Sequence, residues 1–438
     1  MTEDLASVVE KASALVVEAL GSSAELVERV SGLDRDIKEF FQVVGRLAME
    51  RLFVEASKRV TEAARARGLT VERRPVVQYR VLFGEISVES PYLWNRDTHE
   101  GCRPVRSELG VEHLGMTEAV KRALTDFGAE DSFGRAAKRF EEHYGWEVGR
   151  TTVLRVVETV AAEAESFVAK QLGDGRTEFG RPLSDRPGAE RILVEADGGE
   201  VRTGKLLPAP ELGTTPARKL AKRRRLTEWR DLRMGLARRL DEVEPTYVGR
   251  LGPYARVLDD VFDAACLHGL SSNTQVIACT DGGIGIREAF EAHFPKLQYV
   301  LDRPHMKSHL YETADAMGLK DVERERWVAR QTLRLHQGQA ETVLDDLHRH
   351  RGRGRARALR LHVHLTRFKD AVHYDAFEVA GIPQGSGEIE SAHKAIPQKR
   401  LKLPGAWWRE DTINPMLALR LVRANTWWGD FWSHRAAA

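Results

Sequence analysis

Two aspartates and a later pair of glutamates are the residues best placed to do chemistry in this sequence. Asp197 and Asp281 each end a run of β-forming residues, Arg191-Ile-Leu-Val-Glu-Ala-Asp197 and Gln275-Val-Ile-Ala-Cys-Thr-Asp281, and each is followed by two glycines. An aspartate at a strand end can hold a metal, and glycines after it let a bulky substrate backbone come close. Taken singly, Asp-Gly is the commonest kind of tight turn. Two such ends in one sheet, followed by a helix-borne glutamate, ask for more than turn chemistry. That glutamate is Glu388 or Glu390, in the first turns of a helix opening at Gly385-Ser386-Gly387 with Ser386 as N-cap. Either one would also serve as a mere complement to the helix dipole. Behind them come Lys394, Lys399, Arg400 and Lys402. Carboxylates that grip a metal beside bases that grip phosphate are what phosphodiester chemistry requires. Three oxygen donors suit Mg²⁺ or Mn²⁺, and two ions about 3.5–4 Å apart would activate the attacking oxygen and stabilise the leaving one. No nucleophilic side chain is then needed.

Other signals weigh less. Gly199-Glu-Val-Arg-Thr-Gly204-Lys205 nearly matches a phosphate-binding loop, but Leu206 replaces the required hydroxyl residue and Pro208 and Pro210 forbid a following helix. Gly283-Ile-Gly285 lacks the third glycine of a dinucleotide fingerprint. His305 and His309 have the i, i+4 spacing of helix-borne zinc ligands without the intervening glutamate of a zinc protease. Cys102, Cys266 and Cys279 are the only cysteines and have no paired spacing, which argues against a disulfide framework or a cysteine zinc site and points to a reducing cytosol.

The elements that must carry these residues follow from periodicity. Apolar residues at helical spacing between Ile37 and Val60, after a helix-compatible Leu5–Val30, make the first 67 residues read as helical, closed by Gly68. Short strands then flank a Phe83-Gly84-Glu85 turn. Phe133–Tyr144, a break at Gly145, and a helix opening at Gly149-Arg150-Thr151-Thr152 form a helix-turn-helix pattern. Arg150, Thr151 and Arg155 would face a DNA groove there, although an ordinary helical hairpin with a polar face gives the same pattern. The Gly-, Pro- and Asp-rich stretch from Gly173 to Gly188 reads as a linker. Beyond it strands alternate with helices, including a strand through Leu232, Met234 and Leu236, in the manner of an α/β layer structure.

Composition bounds the partners. With 67 Lys plus Arg against 65 Asp plus Glu, the formal charge of +2 excludes a uniformly basic nucleic-acid coat protein. Charge is instead concentrated in basic runs at 218–225, with Arg223 and Arg224, and at 349–360. Each is a solvated face unless a phosphodiester site lies nearby, when it becomes a track for DNA. Five of the nine tryptophans crowd the last stretch, Trp407, Trp408, Trp427, Trp428 and Trp432, where burial is the main expectation and base stacking an alternative for Trp407 or Trp408. No apolar run is long enough to span a membrane and the N-terminus is not a signal peptide, so a soluble, cytoplasmic protein is expected.

The motifs together resemble the DDE transposases of bacterial insertion sequences, in particular the Kra-type and Mutator-like branch with an RNase H-like catalytic core. The resemblance is carried by Glu195-Ala-Asp197-Gly-Gly, Thr280-Asp281-Gly, Asp302-Arg-Pro-His305-Met-Lys-Ser-His309-Leu and Gly385-Ser-Gly-Glu-Ile-Glu390-Ser, then Gln398-Lys-Arg-Leu-Lys402 and Gly405-Ala-Trp-Trp408. It implies that Asp197 and Asp281 are the catalytic aspartates and Glu390 the glutamate, with Glu388 as fallback, all three binding two Mg²⁺ or Mn²⁺. Asp302 and His305 match a signature of the same branch that supports the site or touches DNA. Relatives carry paired cysteines in the small β module, where this chain has only Cys102, and a Trp after the second Asp-Gly, where it has Ile284-Gly-Ile286.

The expected architecture is therefore multidomain α+β. It comprises an N-terminal helical region (1–68), a small β module (69–115), a helix-turn-helix-like DNA-binding region (116–172), a linker (173–190), an RNase H-like core (191–304) with an all-helical insertion (305–380), and a final catalytic helix and tail (381–438). The expected activity is metal-dependent cleavage and strand transfer at the terminal inverted repeats of an insertion sequence. Double-stranded DNA, both repeat and target, is the partner, and the chain acts as a homo-oligomer on it, with no membrane. The alternatives are an RNase H-like nuclease without strand transfer and a non-catalytic, transposase-derived DNA-binding protein. A glycosidase is disfavoured because the basic stripe after Glu390 has no use there.

Overall fold

The computed structural model describes residues 3–20, 30–111, 114–173, 183, 187–206, 225–294 and 296–437. The chain divides into two compact units, Met1–Thr159 and Val160–Ala438. Most of the expected linker, and the basic run with Arg223 and Arg224, lie outside the described residues.

In the first unit, α1 (Glu3–Leu20) and α2 (Val30–Ala66) precede a β region, β1 (Thr70–Arg73), β2 (Val76–Val81), β3 (Gly84–Glu89), β4 (Tyr92–Asn95) and β5 (Glu100–Cys102). β2 and β3 form an antiparallel hairpin whose last pair is Val81 with Gly84. The turn is thus Leu82-Phe83, one residue earlier than expected, and Gly84 already belongs to the strand. The other three strands form a separate sheet in the order β1-β4-β5. Phe53 of α2 packs on Tyr79, Val81, Ile86 and Val88 of the hairpin to make a small core. After the short α3 (Pro104–Glu108) come α4 (Glu118–Glu130), α5 (Phe133–Tyr144) and α6 (Arg150–Gln171), which belongs to this unit up to Thr159 and to the second from Val160. Ser132 caps α5 through its hydroxyl, which accepts the Arg135 N–H. Arg150, Thr151 and Arg155 are exposed on α6.

The second unit is built on a five-stranded sheet of β6 (Arg191–Leu206), β7 (Arg225–Arg239), β8 (Thr246–Leu251), β9 (Gln275–Thr280) and β10 (Leu297–Leu301), in the order β10-β9-β6-β7-β8. β6, β7 and β8 are antiparallel, whereas β9 runs parallel to β6 and β10 parallel to β9. Parallel neighbours need crossovers, and α7 (Tyr254–Leu267) and α8 (Ile286–His293) supply them. Ile192, Leu193, Val194 and Ala196 are all buried, the run of successive apolar residues expected of a strand covered on both faces.

Two devices protect the edges of this sheet. Asn414 Oδ1 accepts the Leu251 N–H at 2.9 Å, and Asn425 pairs with both backbone groups of Tyr247 at 2.8 and 2.9 Å, so α16 (Ile413–Ala424) and the residue after it close edge strand β8. Beyond the point where β9 leaves β6, Trp408 exchanges backbone hydrogen bonds with Arg202 and Gly204.

A helical block follows β10: α9 (Arg303–Met317), α10 (Asp321–His336), α11 (Ala340–Arg349), α12 (Arg355–Arg367) and α13 (Tyr374–Val379). Its two ends meet again, because the Arg303 N–H donates to Gln384 O at 2.8 Å and the Tyr374 hydroxyl to Leu301 O at 3.0 Å. The chain then enters α14 (Gly387–His393), a single π-helical turn at Lys394–Gln398, α15 (Lys399–Leu401), α16 and α17 (Trp428–Ala437). Among the described residues no helix is long and apolar enough to cross a membrane.

Candidate metal centre

The topology brings three distant carboxylates to one place. Asp197 lies on β6, Asp281 directly follows β9, and Glu390 sits in the first turn of α14. Together with His305, Ser386, His393, Lys394 and Gln398 they line a cavity of 200 Å³. Asp197 and Asp281 keep their orientation through adjacent backbone: Asp197 Oδ1 accepts the Gly198 N–H at 2.7 Å and Asp281 Oδ1 the Gly283 N–H at 2.9 Å. Burial, and then the negative charges of Asp281 and Glu390, raise the Asp197 carboxyl above its ordinary range. Carboxylates that repel one another in a small cavity are relieved by a cation, and three oxygen donors fit Mg²⁺ or Mn²⁺.

Two local expectations change. Asp197 does not end a strand: β6 continues to Leu206, because β7 pairs with it residue for residue through Asp197–Met234 and on to Leu206–Arg225. Nor are the glycines after it open space for substrate. A Cβ at Gly198 would meet the Arg233 guanidinium at 2.5 Å and the Tyr254 hydroxyl at 2.7 Å, and one at Gly199 would meet the His393 ring at 2.5 Å. These glycines admit protein side chains. Gly199→Ala is accordingly expected to displace His393 and cost ~1–3 kcal/mol by overpacking, read as a shift in the denaturant midpoint; an unchanged midpoint contradicts the tight fit.

Asp302 is the keystone beside the cavity. It is 1% exposed, and its Oδ1 accepts the His305 N–H at 2.6 Å as the N-cap of α9. Its Oδ2 accepts both the Ser386 N–H at 2.5 Å and the Ser386 hydroxyl at 2.7 Å. Ser386 therefore does not cap α14 with its side chain, as its position suggests; the hydroxyl is committed to Asp302. His305 Nδ1 lies 3.1 Å from Asp302 Oδ1, without hydrogen-bond alignment, and 3.6 Å from Glu390 Oε1. Asp302, His305 and Glu390 each bring a possible ligand atom within 4.8 Å of the other two. Asp302 is nonetheless occupied on both oxygens by three donors, which makes it the group that orients His305 and the α14 entry.

The two glutamates separate cleanly. Glu390 faces the cavity, with Lys394 Nζ 3.9 Å from its Oε2. Glu388 turns to the sheet, where both its oxygens meet Arg238 Nε at 3.1 and 3.0 Å. Of the basic residues expected to hold DNA, Lys394, Lys399 and Lys402 are exposed. Arg400 is not: it is 2% exposed with its guanidinium over the Trp408 ring, since α15 turns it into the interior. Trp408 and Trp432 are buried, whereas Trp407, Trp427 and Trp428 are half-buried, so full burial holds for two of the five rather than for most.

Glu195, His393 and Gln398 were missed from the sequence as site residues. His393 is buried and held near neutral form, its pKa lowered to about 4 first by burial and then by Lys402, and Gln398 Nε2 contacts its Nδ1 at 3.2 Å. Glu195 is 1% exposed, and burial raises its pKa from 4.5 to about 8. A carboxyl raised in the folded state contributes stability that is fully present below 4.5 and lost as pH rises through about 8. The metal-free chain is thus expected to lose on the order of 1.36 kcal/mol per pH unit through this group over that window. Denaturant titrations across pH should show a shallower decline for Glu195→Gln than for wild type; parallel profiles contradict the assignment.

The chain matches no family model and no curated protein. Among solved structures it is similar to the Drosophila P element transposase strand transfer complex, at 8% identity and a TM-score of 0.26 over 73% of this chain and 80% of that one. A likeness at that level does not define a fold.

Proposed function

We propose that the chain is a DDE transposase that cuts and joins DNA at Asp197, Asp281 and Glu390, binding terminal inverted repeats through its first unit. The single observation that carries this reading is the convergence of those three residues, from β6, from the end of β9 and from α14, on one cavity. The antiparallel β6–β7–β8 meander with β9 and β10 parallel to β6 supports an RNase H-like core. The motif order in the sequence supports the same family.

The three carboxylates would hold two Mg²⁺ or Mn²⁺, which when bound neutralise phosphate charge and activate the attacking oxygen. The protein's own part is positional. Asp197 and Asp281 are fixed by neighbouring backbone N–H groups, and Glu390 arrives on a helix whose entry Asp302 holds. Exposed Lys394, Lys399 and Lys402 present charge to the DNA backbone beside the cavity, and Arg150, Thr151 and Arg155 present a polar helix face in the first unit. Water would attack first and the freed 3′ hydroxyl second, and joining both ends of one element would call for at least a dimer on DNA. Mg²⁺-dependent nicking of terminal-repeat DNA should be lost in Asp281→Ala with DNA binding retained; equal nicking by both proteins sinks the assignment. Nicking without joined products would instead favour the RNase H-like nuclease.

A further inference from the structure

α14 has only seven residues and runs directly into a π-helical turn that contains Pro397. A helix this short does not hold itself in place. Its first turn must be fixed from outside for Glu390 to face the cavity. At an ordinary N-terminus the N-cap side chain accepts the N–H of the third helical residue. Here that residue is Ile389, and the N-cap, Ser386, has given its hydroxyl to Asp302. The Ile389 N–H donates instead to Glu195 Oε2 at 2.9 Å, a partner 194 residues earlier in the chain.

Arg238 completes the arrangement. Its Nε grips Glu388, while its Nη1 donates to the carbonyls of Arg239, Leu240 and Glu242 at 3.0, 3.3 and 2.8 Å, so the guanidinium is itself immobile. Glu195 pairs with Leu236 across β6 and β7, two positions from Arg238 on the same face. Ser386, Glu388 and Ile389 are therefore each tied to a different side chain, and the next residue is Glu390.

We infer that Glu195 is a positioning residue, a helix cap supplied from a neighbouring strand and backed by Arg238, that sets the rotation of α14 and so presents Glu390 to Asp197 and Asp281. This rests on the reading of Glu390 as a metal ligand. Because Glu195 and Asp197 are two residues apart on β6, one strand carries a carboxylate of the cavity and the carboxyl that aims the opposing one.

The test is an electron paramagnetic resonance titration of Mn²⁺ with the full chain, paired with hydrogen exchange of residues 386–393. Glu195→Ala should weaken Mn²⁺ binding roughly 10–100-fold and speed exchange in that segment. Glu195→Gln should restore both, since its amide carbonyl accepts the same N–H. In a Glu390→Ala background, Glu195→Ala should add no further loss of binding. If Glu195→Ala does not fold, Glu195→Asp, one methylene too short to reach Ile389, takes its place. Wild-type binding in Glu195→Ala, equal defects in the Gln and Ala variants, or losses that multiply with Glu390→Ala would overturn the inference. Wild-type binding in Glu390→Ala would sink the functional reading instead, leaving the exchange result to judge the cap alone.

Discussion

Glu390→Gln is expected to abolish the proposed metal-dependent DNA nicking, whereas Glu388→Gln should leave activity within roughly tenfold of wild type. The two residues are neighbours on one short helix, so the contrast separates a ligand from a support. Gln at 390 keeps the shape of the side chain and removes the negative charge that faces Asp197 and Asp281 in the cavity. Lewis-acid stabilisation of the reacting phosphate is worth several kcal/mol, and each 1.36 kcal/mol is a factor of ten. Weakening it should cost ~10³-fold or more in rate. Gln at 388 loses an ion pair with Arg238, whose side chain is 14% exposed and keeps three backbone acceptors. That loss acts only through the seating of α14, and because the Gln amide oxygen still accepts from Arg238 Nε, only part of the worth of a hydrogen bond to a charged group, about 1.5–3 kcal/mol, is lost, about one factor of ten. Reversal of the order of the two variants would make Glu388 the ligand.

How far the sequence announced this contrast depends on which contacts are local. The period of two along β6 places Glu195 and Asp197 on one side, and that much is legible in Glu-Ala-Asp. The spacing of Glu388 and Glu390 puts them on different sides of a helix but does not say which one faces the sheet. That is decided by Arg238, 150 residues away. The Asp197 strand end was misjudged for a similar reason: a glycine pair reads as a turn unless a partner strand extends along it, and β7 does so while Arg233, Tyr254 and His393 fill the space that the glycines leave. Arg400 reads as part of a basic stripe because the π-helical turn at Lys394–Gln398, which turns it inward, leaves no periodic signal in the sequence. By contrast α5 spans Phe133–Tyr144 and stops at Gly145, where the helical period and the glycine break place it.

Asp302→Ala should strongly destabilise the second unit. It removes the acceptor for three donors at once: the His305 N–H, the Ser386 N–H and the Ser386 hydroxyl. A buried donor left unpaired costs about 1–3 kcal/mol. The hydroxyl can turn to another acceptor, so a total of ~3–5 kcal/mol is expected, at the upper end for single substitutions. Asp302→Asn should fall between, because one oxygen still accepts the His305 N–H and the amide can donate to the Ser386 hydroxyl, stranding only the Ser386 N–H. Nicking should fall with stability in both variants, since the same contacts carry the entry to α14. Chemical denaturation of the three proteins would give the order wild type, Asn, Ala. An Ala variant as stable as wild type would show that the two ends of the helical block are held elsewhere.

The most direct test of the central claim is anomalous scattering at the manganese edge from crystals of the full chain grown with Mn²⁺. Two peaks about 3.5–4 Å apart, bounded by Asp197, Asp281 and Glu390, are the predicted result. A peak against Asp302 and His305 alone, or none in the cavity, would contradict it.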